Sequence, residues 1–182
     1  MSQPAHKRVR TAPLLIVEDS DSDFETLIWA MGRNGPLPAV VRCRDGDEAL
    51  DALRAEGVYA GAPMPRPCLI LLDLNLSSFD GRNVLEQVKR DPNLRMIPVV
   101  VWTGSRNEAD VSLSYARGAN SYVVKPTNGQ EYLEAAALME QYWLDIVTLP
   151  GDLYIEAGEG ESRRDSPSEP SEESGEGNPT AE

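Results

Sequence analysis

Residues 69–76 read Leu69-Ile70-Leu71-Leu72-Asp73-Leu74-Asn75-Leu76. Four apolar side chains run straight into an aspartate, and apolar residues resume after it. A run this short and this rich in branched aliphatics reads as a strand covered on both faces, the kind found in parallel sheets. A carboxylate at the end of such a strand is costly to bury unless it is paired. Similar runs occur at Leu14–Val17, Ala39–Val41, Cys68–Leu72, Ile97–Trp102 and Ser121–Val124. Between them lie stretches with helical spacing. Phe24, Leu27, Ile28 and Met31 share one face, as do Ala49, Leu50 and Leu53, and Val84, Leu85 and Val88. Val111, Leu113 and Tyr115 form a less regular set. A fifth helix is expected over 130–146, burying Tyr132, Leu133, Ala136, Leu138 and Met139.

Strand and helix therefore alternate five times. Strands separated by helices pair in parallel through right-handed crossovers. The expected architecture is α/β: a doubly wound, three-layer sandwich around a central parallel five-stranded sheet. In such sheets the functional groups gather at the carboxyl ends of the strands.

Charge and cysteine content narrow the function. About half of the net charge of −13 sits between Glu156 and Glu182, where nine acids face only Arg163 and Arg164. That segment is Glu, Ser, Gly and Pro, too polar to order itself, and is expected to be a disordered acidic tail. The rest of the chain is mildly acidic, which disfavours broad contact with nucleic acid. Cys43 and Cys68 lie in apolar runs without a CxxC spacing and read as small buried hydrophobes in a reducing compartment. The single histidine, His6, excludes most zinc sites and Ser-His or Cys-His catalysis within one chain. No apolar run reaches membrane-spanning length and no signal peptide is evident, so a cytoplasmic location is expected.

The strand ends carry a coherent chemistry. The first strand ends in Glu18-Asp19-Ser20-Asp21, the third at Asp73, the fourth at Thr103-Gly104-Ser105, and the fifth at Lys125-Pro126. Glu18, Asp19 and Asp73 would repel one another if left alone. Oxygen ligands without His or Cys point to Mg2+, with Mn2+ as an alternative. A cation, the Lys125 ammonium and the Thr103 hydroxyl together could bind the oxygens of a phosphoryl group, and a carboxylate can be its nucleophile. Taken singly, each residue also has a plain structural role: Ser20 or Asp21 as a helix cap, Thr103 and Lys125-Pro126 as loop residues.

These segments resemble the response-regulator receiver domain of two-component signalling over about residues 12–146. "LLIVEDSDSD" resembles its first strand and acidic pair. "LILLDLNLSSFDGRNVL" resembles the phosphoacceptor strand and the start of the next helix. "IPVVVWTGS" resembles the fourth strand, and "GANSYVVKP" the fifth. The resemblance implies a flavodoxin-like fold. It implies that Asp73 accepts the phosphoryl group. Glu18, Asp19, Asp73 and the backbone carbonyl of Asn75 would serve the metal. The Asn75 side chain would face the site and help set the lifetime of the acyl phosphate. Thr103 and Lys125 would bind the phosphoryl oxygens, and Gly104 would leave room for the phosphodonor. Tyr122 would change rotamer with Thr103, and the Lys125–Pro126 peptide would be cis. Two departures stand out: Ser77 occupies a position where many receivers have proline, and Trp102 is bulkier than the usual aliphatic residue.

A narrower likeness lies in "YWLDIVTLP" together with "DPNLRMIPVVVWT", which resembles the small single-domain regulators paired with bacterial phytochrome histidine kinases. The partners implied are a sensor histidine kinase and an unknown downstream protein, with no DNA and no membrane. Tyr142, Trp143, Ile146 and Val147 form an apolar extension that either folds back on its own domain or makes a homodimer contact; the dimer is the preferred expectation. The expected layout is a flexible N-terminus over 1–11, the receiver over 12–146, an extension over 147–155 and the tail beyond. Three rivals remain. A Mg2+-dependent phosphatase of the haloacid-dehalogenase type would need an acid where Asn75 stands. A flavin-binding domain would need a Ser/Thr/Gly-rich phosphate loop where Glu18-Asp19 stands. A degenerate receiver would lack part of the residue set.

Overall fold

The computed structural model describes residues 11–78 and 80–150. Five strands, β1 Leu14–Val17, β2 Val40–Cys43, β3 Leu69–Leu72, β4 Val99–Thr103 and β5 Ser121–Val124, form one parallel sheet in the order β2-β1-β3-β4-β5. The helices are α1 Asp21–Met31, α2 Gly46–Arg54, α3 Gly81–Arg90, α4 Glu108–Ala116 and α5 Gly129–Glu140, and α5 continues into a π-helical turn, Gln141–Ile146. This is the expected three-layer α/β arrangement. His6 and the acidic tail lie outside the described residues, as does most of the expected 147–155 extension.

Successive strand side chains point to opposite faces, so each strand feeds two cores. On one face Leu15, Val17, Ile70, Leu72, Val99 and Val101 pack with Ala49 and Leu50 of α2 and with Val84, Leu85 and Val88 of α3. On the other, Leu14, Ile16, Leu69, Leu71, Val100 and Trp102 pack with Leu27, Ala30 and Met31 of α1 and with Ala136 and Met139 of α5. Double coverage explains why β1, β3 and β4 read as unbroken apolar runs. Each helix starts on a capping side chain that accepts a backbone N–H: Ser20, Asp45, Asp80, Asn107 and Asn128. These caps satisfy donors that the first helical turn leaves open.

Several boundaries differ from expectation, each for a physical reason. β2 starts one residue and ends two residues later than expected, because Arg42 and Cys43 pair with Ile16 and Val17 of β1. Arg42 interrupts the apolar pattern, which an edge strand tolerates. β4 begins at Val99 because Pro98 has no N–H to give; its carbonyl still accepts from the Ile70 N–H at 3.0 Å. On α4 only Ser114 is buried, and Leu113 and Tyr115 are exposed, which explains the poor helical spacing. Leu138, expected inside, is 65% exposed on the outer side of α5. None of the described peptide bonds is cis, so Lys125–Pro126 is trans; trans is the more stable isomer of an isolated X–Pro bond by about 0.5–1 kcal/mol. Both cysteines are buried and neither is in a disulfide. Burial, with nearby Glu48, pushes the Cys43 thiol up to about 12, so it is inert at neutral pH.

Candidate functional site

The parallel ladder runs one hydrogen bond past the strands. The Glu18 N–H donates to the Cys43 carbonyl at 3.0 Å, the Asp73 N–H to the Val17 carbonyl at 3.0 Å, and the Lys125 N–H to the Thr103 carbonyl at 2.7 Å. Glu18, Asp73, Thr103 and Lys125 are thereby fixed at one edge of the sheet by the backbone itself. All four are buried.

Lys125 is the centre of the cluster. Its Nζ donates to Glu18 Oε2 at 2.7 Å, to Asp73 Oδ2 at 2.8 Å and to Asp23 Oδ2 at 2.8 Å. Burial works against the ammonium, but the charge of Asp73 and the three hydrogen bonds outweigh it and raise its pKa above the usual lysine range. Burial raises the Glu18 carboxyl, and Lys125 resists that rise. The remaining oxygens are also occupied. Glu18 Oε1 accepts from the Ser20 N–H at 3.1 Å, and Asp73 Oδ1 from the Asn75 N–H at 2.9 Å. The Asn75 side chain reaches across to Thr103, with Nδ2 to Oγ1 at 3.4 Å.

Asp19 is held apart from the lysine. Its Oδ2 accepts from the Ser77 N–H at 2.8 Å. Proline at 77 could not make this bond, so the departure from the common receiver pattern supplies a donor. Slight burial acts against the Asp19 charge, and the hydrogen bonds from Ser77 more than compensate, holding its carboxyl below the usual range. Among the described residues no three Asp, Glu, His or Cys side chains form a ready cation cage. The reason is geometric: Lys125 takes Glu18 and Asp73 while Ser77 takes Asp19. The donor set still fits a hard divalent cation. It is all oxygen, and around Lys125 three carboxylates face a single ammonium. Mg2+ needs only one or two carboxylates and fills the rest of its shell with water and phosphate.

An open groove of about 550 Å³ leads to Lys125, lined by Asp23, Trp29, Gly104, Pro126 and Tyr132 among others. A Cβ on Gly104 would meet nothing within 4 Å, so the mouth stays clear. Gly81 is the opposite case. A Cβ there would run into the Asp73 carbonyl oxygen, so the start of α3 packs directly against the backbone that carries Asp73. The Tyr122 hydroxyl donates to the Ser105 carbonyl at 3.1 Å, which ties β5 to the loop after β4. In that loop Ser105 Oγ is 2.5 Å from Asp110 Oδ2, and Arg82 of α3 grips Asp110 with two nitrogens at 2.9 and 2.6 Å.

A sheet order of 2-1-3-4-5 with a buried lysine facing carboxylates from β1 and β3 is the frame on which the family assignment rests, and the sequence comparison decides it. Residues 14–148 match the model of the response regulator receiver domain. The chain belongs to the receiver family. Receiver domains are phospho-accepting signalling modules that bind Mg2+. The response regulator Rcp1 of Synechocystis sp. is 41% identical over 137 residues, 75% of this chain and 92% of Rcp1. The crystal structure of the phosphorylated cyanobacterial phytochrome response regulator RcpA superposes with a TM-score of 0.71 at 41% identity, covering 78% of this chain and 99% of RcpA. The Mn2+-bound form of Rcp1 superposes equally well, at 0.71 and 40% identity over 76% of this receiver and 99% of that chain.

The expected site residues Glu18, Asp73, Thr103, Lys125 and Asn75 come together, and Asp19 and Tyr122 lie at the margin. Four contributors, Asp23, Arg42, Arg82 and Asp110, carry no signal in the sequence pattern. Asp23 lies in the first turn of α1, where an acid is ordinary, and nothing local shows that it reaches Lys125. Arg82 and Asp110 are 28 residues apart in sequence, and no local pattern pairs them. Arg42 stood outside the expected β2.

Proposed function

We propose that this receiver is a phosphorylation switch in which Asp73 accepts a phosphoryl group from a sensor histidine kinase. A carboxylate oxygen of Asp73 attacks phosphorus in line, the phosphorus–nitrogen bond of phosphohistidine breaks, and the imidazole leaves with the bond electrons. Lys125 changes partner from the Asp73 carboxylate to the new phosphoryl oxygens. Thr103 turns its hydroxyl from Asn75 toward the same oxygens, and Tyr122 changes rotamer with it, giving up its hydrogen bond to the Ser105 carbonyl. Glu18, Asp19, Asp73 and the carbonyl of Asn75 would hold Mg2+, which when bound neutralises and orients the phosphoryl oxygens. The observation that carries this reading is the 2.8 Å contact of the Lys125 ammonium with Asp73 at the open edge of the sheet.

The kinase is a bacteriophytochrome, a reading supported by the phytochrome and bacteriophytochrome response regulators among the similar structures. Signalling proceeds by protein contacts in the cytoplasm, without turnover of an external substrate; Asn75 supplies no acid for phosphatase chemistry. The active form is a homodimer joined through the end of α5, where Leu138, Tyr142 and Ile146 are exposed.

Incubation with Mg2+ and acetyl phosphate should add one hydroxylamine-sensitive phosphoryl group, and Asp73→Asn should abolish it. Undiminished labelling of that variant overturns the assignment. The dimer is tested by sedimentation of wild type against Tyr142→Ser/Ile146→Ser, which should sediment as a monomer.

A further inference from the structure

Arg42 is a charged residue in a strand and plays no part in the reaction described above. Its guanidinium nevertheless spends every nitrogen on the acidic loop. Nε donates to the Glu18 carbonyl at 3.0 Å, Nη2 to the Asp19 carbonyl at 3.1 Å, and Nη1 to Asp21 Oδ1 at 2.5 Å. The plane lies over the Phe24 ring at 4.5 Å, and the side chain is only 14% exposed. The end of β2 thus holds the acidic pair from three sides, because the Cys43 carbonyl also takes the Glu18 N–H. The two carbonyls it fixes belong to residues whose side chains diverge: Glu18 turns inward to Lys125, and Asp19 turns across to the Ser77 N–H.

We propose that Arg42 is the positioning residue that pre-sets the Glu18-Asp19 backbone for a divalent cation. The inference rests on the metal reading above and adds to it a residue that touches neither cation nor phosphoryl group. Two consecutive carbonyls held by one planar fork leave the loop little freedom, so its backbone need not be ordered when the cation arrives and only the two carboxylate side chains have to turn. Partners of this kind, one step behind the ligands, typically change metal affinity about 10–100-fold when removed.

The sign of the effect separates positioning from simple charge. Arg42 is a cation close to a cation site, so on electrostatics alone its removal would tighten metal binding. On the positioning reading its removal weakens it. Calorimetric titration of the full chain with Mn2+ should show Arg42→Met binding about 10–100-fold more weakly than wild type. Arg42→Lys keeps the charge but, as a compact ammonium, lacks the planar fork, and it should be weakened nearly as much. Arg44→Met removes the same charge from beside Asp21, where Arg44 Nη1 lies at 2.7 Å, and should bind at least as well as wild type. Melting curves without metal report whether each variant is folded; should Arg42→Met be unfolded, Arg42→Lys carries the comparison. Equal or tighter binding by folded Arg42 variants overturns the proposal. Absence of Mn2+ binding by wild type overturns the metal reading itself.

Discussion

Replacing Lys125 by methionine isolates the energetic centre of the molecule. The variant keeps an unbranched side chain only one atom shorter and removes the charge that holds Glu18, 3% exposed, and Asp73, 7% exposed. At an effective dielectric of about 20, unit charges 2.8 Å apart attract by about 6 kcal/mol, and desolvation of the ions cancels several kcal/mol of that per partner. The net worth of the cluster is therefore modest. Its disruption is not, because two buried carboxylates are left facing each other. Loss of one partner from a buried pair costs about 3–5 kcal/mol, and the Asp23 contact adds little because that side chain is 44% exposed. Urea unfolding at pH 7 should show the midpoint of Lys125→Met falling by about 2 M. The loss should depend on pH in a defined direction. Burial already raises the Glu18 carboxyl above 4.5, and without Lys125 it rises further. The folded variant then holds more protons than the unfolded chain at pH values between 4.5 and that raised pKa, so its stability increases as pH falls from 7 toward 5. Adding Asp73→Asn, which leaves only one buried carboxylate, should return part of the loss. A midpoint shift of less than about 0.5 M, or an equal loss at pH 5 and pH 7, would refute the reasoning.

Three further outcomes are expected. Lys89 donates to the Ile97 and Arg95 carbonyls and to Asn120 Oδ1, all neutral, at 2.8, 3.3 and 3.0 Å, and burial pulls its pKa from 10.5 to about 8. An NMR titration should place its midpoint near 8 while Lys125 moves the other way; stability linked to Lys89 rises with pH between 8 and 10.5, and that linked to Lys125 is lost as pH rises through its elevated pKa. Gly81→Ala forces the new methyl against the Asp73 carbonyl and should cost about 1–3 kcal/mol in urea unfolding, with slower labelling by acetyl phosphate. Ala55 closes α2 in the left-handed region at φ 57°, so Ala55→Gly should gain about 1 kcal/mol and raise the melting temperature by a few degrees; an unchanged or lower melting temperature would count against strain at this cap.

Much of the fold was legible because burial on both faces leaves an unambiguous trace. Leu14–Val17 and Leu69–Leu72 have no polar residue to confuse the pattern, and the apolar runs match both strands to within one residue. Where only one side of an element is covered, the trace fades. Val40–Cys43 at the sheet edge carries Arg42, and its apolar residues alone point to a strand that starts and ends too early. On α4, Leu113 and Tyr115 face outward, so their apolar character misdirects any argument from periodicity. Leu138 on α5 misleads in the same way, because an exposed apolar stripe and a buried one look alike in sequence.

The site divides along a similar line. The sequence alone determined which residue types stand at the ends of β1, β3, β4 and β5, since each follows its strand directly, and parallel topology sends all those ends to one edge. Only the tertiary structure decided how the charges are shared. Lys125 bonds to Glu18, Asp73 and Asp23 at once, Ser77 draws Asp19 away, and Arg42 grips the carbonyls behind the acidic pair. Those contacts join residues from separate elements through side-chain reach and backbone direction. Neither quantity is local, so no window of the sequence contains it.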